Sequence, residues 1–106
     1  MPIQRLLIAN RGEIAIRIAQ TAADLDIETF GIFSEDDEAA LHHHKTDHSL
    51  ALQGVGSSAY LDQQQIVELA IDNDCDAIHP GYGFLSENAE FAKLCERSDI
   101  RFIGPT

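Results

Sequence analysis

The sequence predicts an α/β fold, an open and mostly parallel five-stranded sheet with helices on both faces. Three observations carry that expectation. Short apolar runs alternate with stretches of helical period along the whole chain. The first run, centred on Leu6-Leu7-Ile8-Ala9, is continuously apolar, as a strand buried on both faces must be. The segments between runs are short, about 2–6 residues, as in βαβ units.

Taken in order, Ile3 to Ala9 reads as the first strand and Asn10-Arg11-Gly12 as its turn. Glu13 to Leu25 reads as a helix with Ile14, Ile18, Ala22 and Leu25 on one face and Ala15 and Ala19 beside them. Glu28 to Ser34 is a second strand, joined to the first by a right-handed crossover. Glu35-Asp36-Asp37-Glu38 is an acidic loop leading to a short helix, Ala39 to His44, and Ser49 to Leu52 is a third strand. Gly54 to Ser58 reads as a loop. Asp62 with Gln65 resembles a capping box for a helix from Gln63 to Asn73, with Ile66, Leu69, Ala70 and Asn73 on one face and Val67 and Ile71 flanking it. Asp76 to His79 is a fourth strand and Glu87 to Arg97 a helix capped by Ser86, with Phe91, Leu94 and Cys95 inward. Arg101 to Ile103 is a fifth strand. The closing Gly104-Pro105-Thr106 reads as the start of a linker, so residues 1–106 are expected to be one domain of a longer polypeptide.

The chain has 106 residues and a net charge of −11, from 18 acids against 7 bases. That balance argues against nucleic acid, which needs a basic footprint. No apolar run approaches the ~20 residues that span a bilayer. No signal-peptide pattern opens the chain, and Cys75 and Cys95 read as buried reduced thiols; a cytoplasmic protein is the expectation. The only lysines, Lys45 and Lys93, sit outside any glycine-rich loop, and there is no Walker-type phosphate loop.

The residues bear on three kinds of chemistry. A dinucleotide site would need Gly-x-Gly-x-x-Gly after the first strand, where this chain has Asn10-Arg11-Gly12-Glu13. Glu13 would repel a phosphate at the helix start. Glu35 to Asp37 do stand where a ribose-binding acid would, and Gly54-Val55-Gly56-Ser57-Ser58-Ala59 follows the wrong strand. His42, His43, His44 and His48 cluster, with His44 and His48 at i, i+4, but match no standard closed metal site, and a solvated helix beside acids is the reading that accounts for them better. No Gly-x-Ser-x-Gly elbow or other complete catalytic set exists, and no metal ligand or catalytic residue is assigned. His79, before Pro80, reads either as a base or as a buried histidine bonded to a loop carbonyl.

One stretch stands apart, His79-Pro80-Gly81-Tyr82-Gly83-Phe84-Leu85-Ser86-Glu87-Asn88. Pro80 ends strand pairing. Gly81 and Gly83 leave the Tyr82 ring without immediate neighbours, while Phe84 and Leu85 can fold back to a core. A ligand wall and a tyrosine lying on a surface turn are both compatible with these residues.

Two stretches resemble one family. Ile8-Ala9-Asn10-Arg11-Gly12-Glu13-Ile14-Ala15-Ile16-Arg17 is similar to the opening of biotin carboxylases, and the decapeptide around Tyr82 to their second signature. Phe102-Ile103-Gly104-Pro105 resembles the closing strand of the same domain. The chain departs from the family at Gln53-Gly54-Val55-Gly56, where a Gly-Pro loop is usual, and in its histidine cluster. The resemblance implies a Rossmann-like, pre-ATP-grasp domain of a ligase that uses ATP, Mg2+ and bicarbonate to carboxylate biotin on a carrier protein. It implies that ATP-grasp and C-terminal domains lie outside residues 1–106, that this segment alone binds no cofactor, and that it is inactive alone. It implies that Tyr82 and Gly83 line the biotin site and that Arg17 lies at a homodimer face. The alternatives are a non-catalytic binding or dimerisation module and the pre-ATP-grasp domain of a carbamoyl-phosphate-synthase-like ligase.

Overall fold

The computed structural model describes residues 2–37 and 45–104. Five strands, β1 (Arg5–Ile8), β2 (Glu28–Phe33), β3 (His48–Ala51), β4 (Ala77–His79) and β5 (Arg101–Phe102), form one sheet in the order β3-β2-β1-β4-β5. Every pairing is parallel. The helices are α1 (Gly12–Asp24), α2 (Gly56–Ala59), α3 (Gln63–Asp72) and α4 (Ala89–Arg97), with a 3-10 turn at Glu35–Asp37. The predicted Ala39–His44 helix and the histidines His42, His43 and His44 lie outside the described residues.

The pleat of β1 divides the core. Leu7 and Ala9 join Phe30, Ile32 and Ile78 on one face, under Ile66, Val67 and Ala70 of α3 and Phe91 and Cys95 of α4. Leu6 and Ile8 join Ala77 on the other, under Ala15, Ala19 and Ala22 of α1. Helices therefore cover both faces, and burial of each such Leu or Ile contributes about 1.5–3 kcal/mol relative to exposure. Cys75 and Cys95 are buried, unpaired thiols.

Several local expectations are corrected. On α1 the alanines Ala15, Ala19 and Ala22 face the sheet, because small side chains let the helix sit close; of the expected line Ile14-Ile18-Ala22-Leu25, Ala22 is buried, Ile18 packs partly against the core, and Leu25 is left 65% exposed. Gly56–Ala59 is a short helix, not loop. On α3, Ile71 is 50% exposed. Asp62 caps α3 by accepting from the Gln65 amide at 3.2 Å. The Gln65 side chain does not return to the Asp62 amide; it brackets the backbone of Gln53, accepting from its N–H and donating to its carbonyl. Asn88, not Ser86, caps α4, accepting from the Phe91 amide at 3.0 Å. The chain spends an extra turn after Gly83, with Ser86 N–H on the Gly83 carbonyl and Phe84 at φ 45°, before the helix can start.

Candidate functional site

The sheet changes direction between β1 and β4. From β1 the chain runs outward through α1 to β2, and it returns across the other face to enter β4. The C-terminal ends of these two strands flank the switch point where open α/β sheets bind ligands. Both family-like stretches leave from here, and the structure joins them.

The β1–β4 ladder closes with the Ala9 N–H on the His79 carbonyl at 2.9 Å. The next residue of β1's exit, Asn10, is 1% exposed. Its Nδ2 donates to the carbonyls of Pro80 and Tyr82, each at 2.7 Å, and its Oδ1 accepts from the Arg11 amide at 2.8 Å. A buried amide with both N–H bonds and its oxygen engaged carries no desolvation debt. Gly81 makes the approach possible. It sits at φ +67°, and a Cβ there would lie 2.7 Å from Asn10 Nδ2 and 2.8 Å from Ile14 Cγ2. At Gly104 a Cβ would meet the Phe102 ring and approach Pro80 Cγ, so the loop is also crowded from the β5 side.

The loop then turns its side chains apart. Leu85 is 2% exposed, and the Phe84 ring lies 5.4 Å from that of buried Tyr60. Tyr82, between them and the clamp, is 77% exposed. Nothing stands within 4 Å of where a Cβ of Gly83 would be, so the space beside the tyrosine is open.

His79 accepts the Gly81 N–H on Nδ1 at 3.0 Å. The expected partner was a carbonyl; the ring instead acts as acceptor, which places its own proton on Nε2. Burial pushes its pKa below the ordinary histidine value. A neutral ring committed to the loop backbone is a structural part, not a poised base.

The acids after β2 are also committed. Glu35 accepts from the Gly54 amide at 2.7 Å, and Asp36 from the Gly56 amide at 2.9 Å and Ser34 Oγ at 2.6 Å. Those bonds, the Ser34 one foremost, hold the Asp36 carboxyl below its usual range. Asp37 takes two bonds from Arg11, at 2.7 and 2.9 Å, and one from the Tyr60 hydroxyl at 2.6 Å. The acids at 35–37 are thus tied to the chain's own loops and side chains, and the amides of Gly54 and Gly56 bind those acids. His48 stands on β3, not on a helix with His44; it pairs with Glu28 and stacks on Phe30 at 4.5 Å. Among the described residues no three metal-ligating side chains come together.

Beside the Tyr82 loop lies an apolar groove of about 440 Å³ between α1 and the β4–β5 side of the sheet. Ile14, Ile18, Leu25, Ile103, His79 and Tyr82 line it, and Arg17 stands at its edge. The Arg17 side chain is 79% exposed and meets Glu13 at 3.4 Å. Tyr82 and Gly83 are thus adjacent on one loop, and Arg17 reaches the same groove from the helix.

Asn10 is the residue whose role sequence reasoning missed. It lay within the first family-like stretch with no task assigned. The signal was there in part: a polar side chain set directly after a fully apolar strand must find partners, and a Pro-Gly-Tyr loop offers carbonyls.

The model of the "Biotin carboxylase, N-terminal domain" family matches residues 2–106. The chain belongs to the biotin carboxylase N-terminal domain family. It is 51% identical over 105 residues to pyruvate carboxylase of Staphylococcus aureus, covering 97% of this chain and 9% of that protein. It is 49% identical to Biotin carboxylase 1 of Bacillus subtilis, covering 98% of this chain and 23% of that one. Its fold superposes on the complete multifunctional pyruvate carboxylase of Rhizobium etli with a TM-score of 0.95 at 42% identity, over 100% of this chain and 11% of that one. This biotin carboxylase N-terminal domain thus spans a quarter or less of these relatives. No helix among the described residues is long and apolar enough to cross a membrane.

Proposed function

We propose that residues 1–106 serve as the N-terminal domain of an ATP-dependent biotin carboxylase, with Tyr82 and Gly83 forming one wall of the biotin site. The observation that carries the reading is Tyr82, 77% exposed on a backbone that a buried amide fixes from beneath. An exposed aromatic ring gains little for folding, so a rigid mount for it favours recognition.

The chemistry of biotin suits such a wall. Its ureido ring is flat, with its polar N–H and C=O groups at the edge and a face free for packing, and an aromatic face beside an open glycine holds it in register by packing and shape. Tyr82 moves no proton in this role. ATP suits the domain poorly: the acids at 35–37 are engaged, the charge is −11, and no lysine lies on the site loops. Phosphate-binding lysines, a glycine-rich lid and Mg2+-binding acids belong on an ATP-grasp domain elsewhere in the polypeptide, and carboxyl transfer to the final acceptor on yet another. A biotin carboxyl carrier protein brings the biotin. Arg17, exposed beside the apolar groove, is assigned to a homodimer face. The reading places the enzyme in the cytoplasm.

The complete polypeptide is expected to cleave ATP in the presence of bicarbonate and to fix labelled bicarbonate onto free biotin. Residues 1–106 alone are expected to do neither. Robust turnover by the isolated 106 residues overturns the division of labour. A complete polypeptide that forms no carboxylated biotin overturns the enzyme reading and leaves the assembly-module alternative.

A further inference from the structure

We infer that Asn10 is the positioning residue of the biotin wall: its side-chain amide sets the conformation of Pro80-Gly81-Tyr82 and thereby aims the Tyr82 ring. The inference rests on the proposed role of Tyr82 and assigns a task to a residue that does not touch the ligand.

The location of the clamp separates it from the fold's own supports. The β1–β4 ladder is complete at Ala9 N–H on His79 C=O, one residue before Asn10. Helix α4 has its own cap in Asn88. Between them, Leu85 is anchored in the core and Ser86 bonds back to Gly83. The stretch before Gly83 is held differently. Its bonds are the Gly81 N–H to His79 Nδ1 and the two from Asn10. Among the described residues, only the Asn10 pair reaches across the switch point from another strand. Two carbonyls, one on each side of Gly81, converge on a single nitrogen at 2.7 Å, which fixes both peptide planes. Gly81, at φ +67°, gives the amide room.

Asparagine is the side chain this geometry asks for. Two donors must diverge from one nitrogen while an acceptor faces the Arg11 amide at 2.8 Å. Aspartate has the same shape and keeps that acceptor. It replaces the two donors with an oxygen facing two carbonyl oxygens, which repels the loop. Gly81→Ala presses on the same nitrogen from the other side.

The test is steady-state kinetics on the full-length carboxylase carrying this domain, with free biotin and ATP varied separately. Asn10→Asp is expected to raise the KM for biotin about tenfold or more, while the KM for ATP stays within about twofold; a tenfold change corresponds to about 1.4 kcal/mol, the scale of two displaced hydrogen bonds. Gly81→Ala is expected to give the same split, and carries the test by itself if Asn10→Asp does not fold. Added to Tyr82→Ala, either change is expected to raise the biotin KM no further, since its effect runs through the ring. If Tyr82→Ala raises the biotin KM but Asn10→Asp and Gly81→Ala do not, or if they act equally on ATP and biotin or add fully to Tyr82→Ala, Asn10 is a structural residue and the inference fails. If Tyr82→Ala itself leaves the biotin KM unchanged, the wall reading falls, and the positioning role falls with it.

Discussion

His79 and the two cysteines show how burial sets chemistry one residue at a time. The His79 ring must stay neutral to accept the Gly81 N–H, and burial lowers its pKa from the ordinary 6.5. A histidine whose folded pKa is depressed binds its proton more readily when unfolded. Its contribution to stability is therefore full above pH 6.5 and is lost as pH falls from there through the folded value. Thermal melts of the chain are expected to show a lower Tm at pH 5 than at pH 7, with the drop reduced in His79→Gln; an identical drop in that variant would assign it to other groups. Burial pushes the Cys75 thiol up to about 12 and the Cys95 thiol up to about 11. Both should resist a disulfide reagent at pH 8 in the native chain and react at once in denaturant, because the thiolate is the nucleophile. Rapid native labelling of either would contradict their burial. Their burial was legible in the sequence, since two cysteines give no disulfide framework and a free Cys is among the most buried residue types. The acceptor role of His79 was not, because the partner of a ring nitrogen depends on where Pro80 and Gly81 turn the backbone. The task of Asn10 was hidden for the same reason: its partners are some 70 positions along the chain.

At the scale of elements, strands and helices were legible, and their ends less so. The apolar run of β1 and the inward positions of α3 and α4 follow from the sequence pattern. The face of α1 does not, because Ile14 and Ala15 are neighbours and only close packing on the sheet selects the alanine. Helix ends reveal a shared device. Asp26, Asp74 and Asp99 follow α1, α3 and α4, each with φ between 56° and 59°. In each case the next amide bonds back into the helix at 2.9 Å: Ile27 to Ala22, Cys75 to Ala70, Ile100 to Cys95. These are left-handed caps built with aspartate where glycine is the usual residue, and they set a negative charge at the negative end of the helix dipole. Asp99→Gly is expected to stabilise the chain by about 0.5–1 kcal/mol, through relief of left-handed strain and of the dipole clash. That corresponds to a rise in Tm of a few degrees for a domain of this size. A fall in Tm would show that the carboxylate makes a compensating bond.

On the scale of the whole molecule, the sheet order explains why the site lies where it does and why one face is left open. Both crossovers toward β4 and β5 place their helices on the face of α3 and α4. Among the described residues the opposite face carries only α1, so the β4–β5 side of it opens into the apolar groove with Tyr82 at one end and Arg17 beside it. The parallel sheet was legible from strand–helix alternation; the bare half-face was not, since it follows from strand order. The proposed homodimer role of Arg17 belongs here. Sedimentation of the full-length enzyme carrying Arg17→Glu is expected to shift from dimer toward monomer, and an unchanged dimer would return Arg17 to a solvated helix surface. The central claim remains that this domain contributes one wall of a biotin site through the packing of Tyr82. It is tested most directly by the biotin KM of the full-length enzyme carrying Tyr82→Ala beside that carrying Tyr82→Phe. The account predicts a rise of about tenfold for alanine, near-parental binding for phenylalanine, and little change in the KM for ATP in either. Equal losses for biotin and ATP, or a phenylalanine variant as impaired as alanine, would contradict it.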